Sequence, residues 1–218
     1  MDRQDEILDR TIELLREAGL AGLTMKKVAE RVGFTEPAIY RHFPNKQALL
    51  VGVAGRLSKL FLGPVRAISE ETDTPPLDRI ERIVAHHVGL IMDLDGIPIL
   101  LLAEATATEG PLGRKMAEIA GTYLEIVGRL AAEIPRPPGS PPADIAVLPV
   151  LGLAAAVALE RRMLSEQRLT RDKALELTRY VVRRLLGPET LTPPPPLPHA
   201  LTPARERGSR KRRSETKP

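Results

Sequence analysis

Between Thr24 and Lys46 the chain reads TMKKVAERVGFTEPAIYRHFPNK, a stretch that gathers side chains able to donate hydrogen bonds to anions. Tyr40, Arg41 and His42 stand in a row, with Lys46 four residues beyond His42. Backbone phosphates require donors of this kind, and a guanidinium can also bond two acceptors of guanine together. The chemistry on offer is recognition of nucleic acid rather than bond making. No nucleophile–base pair, phosphate loop or cofactor motif stands out elsewhere, so an enzyme is not expected. The chain has no cysteine, which excludes disulfides, thiolate catalysis and zinc sites built on Cys. Four histidines (His42, His86, His87 and His199) leave little for a His-based metal site.

These side chains need elements to position them. At 100° per residue, Ile39 and Phe43 share one face of a short helix, Pro37 and Arg41 point the opposite way, and Ala38 and Tyr40 lie on the flanks. In the helix before it, Met25, Val28 and Val32 face inward while Lys26 and Glu30 point out. Thr24 can cap that helix at its start, and Gly33 sits where a left-handed cap would end it. Thr35 can cap the next helix, with Pro37 tolerated in its first turn, and Asn45 can start a fourth. Two short helices joined by a tight Gly-containing turn form a helix-turn-helix, whose second helix enters the major groove with its N-terminal residues near base edges. Tyr40, His42 and Lys46 would then supply phosphate donors beside the groove. An ordinary helical hairpin with a solvated charged face shows the same periodicity, so the identity of individual residues must decide.

That identity is specific. Leu23 to Leu50 resembles the DNA-binding domain of the tetracycline-repressor (TetR) family of bacterial regulators at Thr24, Val28-Ala29, Val32-Gly33, Ile39-Tyr40, His42-Phe43, Lys46 and Leu49-Leu50. The likeness covers roughly the first quarter of the chain. It implies that Thr24, Tyr40, His42 and Lys46 contact phosphates, joined by Lys26 or Lys27 from the second helix. It also implies that Thr35, Glu36, Pro37, Ala38 and Arg41 lie at base edges, where Glu36 must accept from cytosine N4 or tolerate repulsion. The function implied is a ligand-responsive transcriptional regulator, a repressor released from a palindromic double-stranded DNA operator by a small apolar or amphipathic effector. The alternative keeps the helix-turn-helix but gives it an architectural or cell-division role controlled by a protein partner.

The remainder reads as helical too, giving an all-α chain of about nine helices: a helix-turn-helix domain over 1–50, a ligand-binding and dimerisation domain over 51–187, and a Pro-rich, basic tail over 188–218. Aromatics make up only 3% of the residues, so Leu, Ile, Val and Ala must build the core. From Pro188 onward there are seven Lys/Arg against three Asp/Glu, which accounts for the whole net charge of +4. The tail lacks apolar periodicity and is expected to be disordered, either adding phosphate attraction or serving as a solvated arm.

The charged start MDRQDEILDR is unlike a signal peptide, and the apolar run Ile145 to Leu159 falls short of the roughly 20 residues that span a bilayer, so a cytoplasmic protein with no membrane partner is expected. A fourth helix should run from Lys46 to about Leu62, and Pro149 should kink a late helix or mark its start. The small-residue run Leu151 to Ala158, with Leu175, Thr178, Val181, Val182 and Leu185 on the last helix, suits a homodimer packed as a four-helix bundle. His86, His87, Met92, Glu104, Thr108 and Tyr123 are the candidate effector contacts, each polar or polarisable among apolar neighbours. Adjacent His86 and His87 diverge on a helix, which argues against a shared metal.

Overall fold

The computed structural model describes residues 3–107, 109–164 and 169–187; Thr108 and the expected tail lie outside them. Its regular structure is helical throughout: α1 (Arg3–Gly22), α2 (Met25–Val32), α3 (Glu36–His42), α4 (Lys46–Ser69), α5 (Pro76–Asp93), α6 (Ile97–Ala107), α7 (Pro111–Ala132), the single turn α8 (Ala143–Ala146), α9 (Leu148–Met163) and α10 (Arg171–Leu186). With α8 and α9 counted as one interrupted helix, the described residues hold the expected nine.

Two apolar cores organise these elements. The first joins α1 through α3 to the start of α4, with Ile7, Leu15, Val28, Ile39, Leu49 and Val53 fully buried. It also takes in Leu94, Ile97, Leu101 and Leu112, so α6 and the start of α7 lie against the head. The second is built around α5, which packs on α4, α7, α9 and α10. α4 runs unbroken through the expected boundary between residues 50 and 51 and contributes to both cores.

The fourth helix extends further than expected. It passes through Pro64 and ends at Ser69, because the carbonyl that Pro64 cannot reach is otherwise satisfied: His86 Nε2 on α5 lies 3.2 Å from Leu60 O. Proline removes one i−4 bond, and a neighbouring donor replaces it. Beyond it, Arg79 is buried and ties three elements together, donating to Ser69 O (2.9 Å) and to Glu133 (2.8 Å). Pro149 falls in the first turn of α9 and marks its true start.

Lys46–Ser69 and Ala143–Met163 are long and apolar enough by composition to cross a membrane, yet each lays a face into the bundle. The apolar pattern expected for dimerisation divides between two directions. Thr178 and Val182 on α10 point into the protomer's own core, as do Ala154 and Ala158 on α9, so they are not free for a partner. Packing of α10 across α5 captures them. The outward faces carry other residues: Leu148, Leu159 and Met163 from α9, Leu177 and Tyr180 from α10, with Met163 73% and Tyr180 67% exposed.

Candidate nucleic-acid interface and ligand cavity

The head is held by local caps and close packing. The Thr24 hydroxyl accepts from Lys27 N (3.2 Å), Gly33 adopts φ 77°, ψ 28° at the end of α2, and Asn45 Oδ1 accepts from Ala48 N (2.8 Å) at the start of α4. Thr35 occupies the N-cap position of α3 with extended backbone, but its hydroxyl makes no capping bond; its carbonyl alone accepts from Ala38 and Ile39. The hydroxyl expected as a cap is therefore left on the exposed side. Ile39 and Phe43 anchor α3 in the core, and Phe43 rests against Gly52, where a Cβ would meet its ring at 2.8 Å and Leu8 at 2.9 Å.

Charge pairing separates two populations of cations. Arg31 is clamped by Glu17 through two bonds of 3.0 and 2.5 Å, and that carboxylate is held below its ordinary pKa chiefly by the hydrogen bond from Arg31. Arg10 pairs with Glu13, and Arg56 with Asp9 and Asp5. These guanidiniums hold α1 to itself, to α2 and to α4. By contrast, Thr24, Lys26, Lys27, Thr35, Pro37, Tyr40 and Arg41 are exposed. Among the described residues no ion pair or hydrogen bond engages the Arg41 guanidinium, the Lys27 ammonium or the Tyr40 hydroxyl, and Lys26 has only Glu30 at 4.0 Å. Glu36, Ala38 and His42 are half-buried on the same helix.

Lys46 stands apart from this group. It is half-buried, and its ammonium donates to Leu20 O at 2.9 Å, just past the break in α1 at Gly19. A lysine has three donors, so this bond aims the side chain while leaving others available. Arg3 is a residue that sequence reasoning missed. Its guanidinium lies over the Phe34 ring at 5.1 Å and borders a surface concavity with Thr35, Ala38, Arg41 and His42. No periodicity marks a cation two residues from the start of the chain; only the fold carries it beside α3.

The second site is a cavity of about 250 Å³ between α4, α5, α6, α7 and α9. Leu57, Phe61, Ile91, Leu101 and Met116 contribute to a wall that is almost wholly apolar, and its polar side chains among the described residues are Ser58, His87 and Tyr123. Phe61 packs on both His87 (4.5 Å between ring centroids) and Tyr123 (5.0 Å). Two of the expected contacts, His87 and Tyr123, thus meet at the cavity. His86 does not line it, because its ring is turned to Leu60 O; Met92 is buried in the α5 core, and Glu104 is half-buried on α6 away from the wall. Burial, with a smaller contribution from neighbouring His86, lowers the His87 pKa to about 4, and burial pushes the Tyr123 hydroxyl well up. Both groups are neutral near pH 7.

With this geometry in place, kinship can be judged. Residues 7–53 match the family described as bacterial regulatory proteins, tetR family. Over these residues the head is similar to that family. A nucleoid occlusion factor SlmA from Marinomonas sp. (strain MWYL1) is 34% identical over 109 residues, 50% of this chain and 54% of that protein. The class A tetracycline repressor protein from transposon 1721 of Escherichia coli is 48% identical over 48 residues, 22% of each chain. The chain thus spans about half, or less, of these curated relatives.

Solved structures extend the likeness across the bundle. A TetR/AcrR-family transcriptional regulator from Thermobifida fusca superposes with a TM-score of 0.64 at 27% identity, covering 85% of this chain and 97% of that one. AibR in complex with isovaleryl coenzyme A and operator DNA gives 0.68 at 19% identity, covering 86% and 100%. The latter likeness establishes the tetR-type fold over the described helices and no more.

Proposed function

We propose that this chain is a ligand-responsive, DNA-binding transcriptional regulator that acts as a homodimer in the cytoplasm and is released from a palindromic operator when a small molecule fills the α4–α9 cavity. The observation that carries the reading is the division of cations in the head. The structural arginines are neutralised by carboxylates, whereas Arg41, Lys27 and Tyr40 present exposed donors without a partner among the described residues, on and beside a helix anchored by Ile39 and Phe43. Phosphates would be met by Thr24, Lys26, Lys27, Tyr40, His42 and Lys46, and base edges by Thr35, Glu36, Pro37, Ala38 and Arg41. Arg3 joins the phosphate set.

Dimerisation uses the outward faces of α9 and α10, whose exposed Leu148, Leu159, Met163, Leu177 and Tyr180 form apolar surface that a partner's matching pair would cover. Control has a direct physical route. Ala54 and Leu57 on α4 and Leu101 on α6 line the cavity and also belong to the core of the head, so a ligand touches the same side chains that fix α1 and α4. A ligand that binds one arrangement of these helices better shifts the population towards it and changes half-site spacing.

Selection of bound sequences from random duplex DNA by the purified protein tests the proposal. A palindrome with half-sites one helical turn apart is the expected product, and no enrichment at low salt would refute it. The similarity to SlmA favours a second reading, in which the same head serves chromosome architecture under a protein partner. Mapping occupied sites in cells separates the two: one or a few sites beside genes support a regulator, many dispersed sites the alternative.

A further inference from the structure

The cavity restricts the chemistry of its occupant further than a general effector role requires. Tyr123 Oη and His87 Nδ1 are both buried, both belong to residues on the cavity wall, and neither has a hydrogen-bond partner among the described residues. A buried polar atom without a partner is destabilising, so these two atoms mark where an occupant's polar group is favoured. Their rings stand edge to face, 5.2 Å apart at a mutual angle of 70°. Ser58 is the other polar side chain on the wall, and among the described residues none of the lining side chains carries a charge. An ionised carboxylate, phosphate or ammonium would therefore leave water without a counter-charge.

Size narrows the class again. A cavity of 150 Å³ lined by apolar side chains binds benzene, with six non-hydrogen atoms; by proportion, about 250 Å³ suits roughly ten. A coenzyme A thioester of the kind bound by AibR is far larger and strongly anionic.

We infer that the cavity takes a compact, uncharged, largely hydrocarbon molecule of about ten non-hydrogen atoms carrying one hydroxyl or ketone oxygen, held at that oxygen by Tyr123 and His87. The inference rests on the reading of this cavity as the effector site, but its test does not pass through DNA. A phenolic or alcoholic hydroxyl can donate to His87 Nδ1 and accept from Tyr123, while a ketone accepts from Tyr123. The apolar body lies against Phe61, Leu57, Leu101 and Met116.

Isothermal titration calorimetry and thermal melting of the full-length protein with three matched probes decide the matter: para-propylphenol, propylbenzene and para-ethylbenzoate near neutral pH. Para-propylphenol is expected to bind about three- to tenfold more tightly than propylbenzene, and para-ethylbenzoate not to bind measurably. The isosteric Tyr123→Phe variant should bring para-propylphenol towards the affinity of propylbenzene. Filling the wall with Ala155→Leu should remove binding of both neutral probes, which shows that they occupy this cavity.

Binding of para-ethylbenzoate or isovaleryl coenzyme A in the cavity with affinity matching the phenol overturns the inference, as does an unchanged phenol preference in Tyr123→Phe. Failure of all three probes while palindromic DNA is still bound sinks the inference and leaves the regulator standing. The expected probe pattern without DNA binding does the reverse.

Discussion

At the scale of single residues, the side chains that act outward are those the fold leaves unpaired. Arg41 projects from α3 with no carboxylate partner among the described residues, so replacing it removes the proposed reader without disturbing a core. Arg41→Ala is expected to lower affinity for the selected operator by about 1–3 kcal/mol and to relax preference at one base pair, measured as the ranking of operator variants. Lys27→Ala should weaken all duplexes alike and reduce the slope of log affinity against log salt by about one. An unchanged ranking in the first variant, or base-specific loss in the second, would exchange their roles. His87 acts inward, and its burial makes stability depend on pH. Its folded pKa is about 4 against an ordinary 6.5, so between those values the unfolded chain takes up a proton that the folded chain refuses. Its contribution is full above about 6.5, falls as pH drops towards 4 and levels off below, a span of about 3 kcal/mol. Urea midpoints across that window should fall more steeply for the native protein than for His87→Gln. Parallel curves would show that His87 charges freely in the folded state.

At the scale of elements, what could be read from the sequence was what neighbours along the chain decide. Thr24, Gly33 and Asn45 cap their helices as their types and positions predict, and the inward faces of α2 and α3 follow from 3.6-residue spacing. Where a partner comes from a distant element, local reading fails. Pro64 looks like a stop, yet α4 continues because His86, on another helix, occupies the vacated carbonyl. The cavity was only half visible for the same reason: His87 and Tyr123 belong to separate helices, and a cavity wall of Leu, Ile and Ala is compositionally identical to core. Thr178 and Val182 carry the right pattern for an interface but face α5, since a stripe does not say which neighbour it meets. Gly52 illustrates tight contact between elements. A side chain there would press on the buried Phe43 ring and Leu8, moving the C-terminal anchor of α3. Gly52→Val is expected to destabilise the head by about 1–3 kcal/mol through overpacking. Hydrogen exchange should show α1–α3 amides opening sooner while those of α5 and α7 keep their protection; uniform loss would mean that the two cores melt as one.

At the scale of the whole molecule, the proposed function depends on two heads held at a fixed separation, which one protomer cannot supply. Each head would present the seven-residue α3 to DNA, and the long α4 connects it to the bundle from which α9 and α10 project apolar surface. Hydrogen bonds as well as apolar contacts join head and bundle: Arg16 donates to Asp93 O at 2.7 Å, and Arg162 donates to Leu15 O at 3.3 Å. Movement of α1 is therefore tied to the α5–α6 turn and to α9, next to the proposed dimer face. Introducing charge on that face separates assembly from reading. Tyr180 and Met163 are both well exposed in the protomer, so Tyr180→Asp combined with Met163→Asp removes no protomer core contact, but places two carboxylates in each half of an apolar interface. The double variant should melt near the native temperature and run as a monomer by light scattering. It should still bind an isolated half-site through α3, yet lose the gain that a palindrome confers when one bound head holds the other at high effective concentration, a gain of about 10²–10⁴-fold. A variant that stays dimeric would place the interface elsewhere on the bundle. One that is monomeric and still binds the full palindrome with native affinity would show that α3 reads DNA without the two-fold pairing on which ligand control of spacing depends.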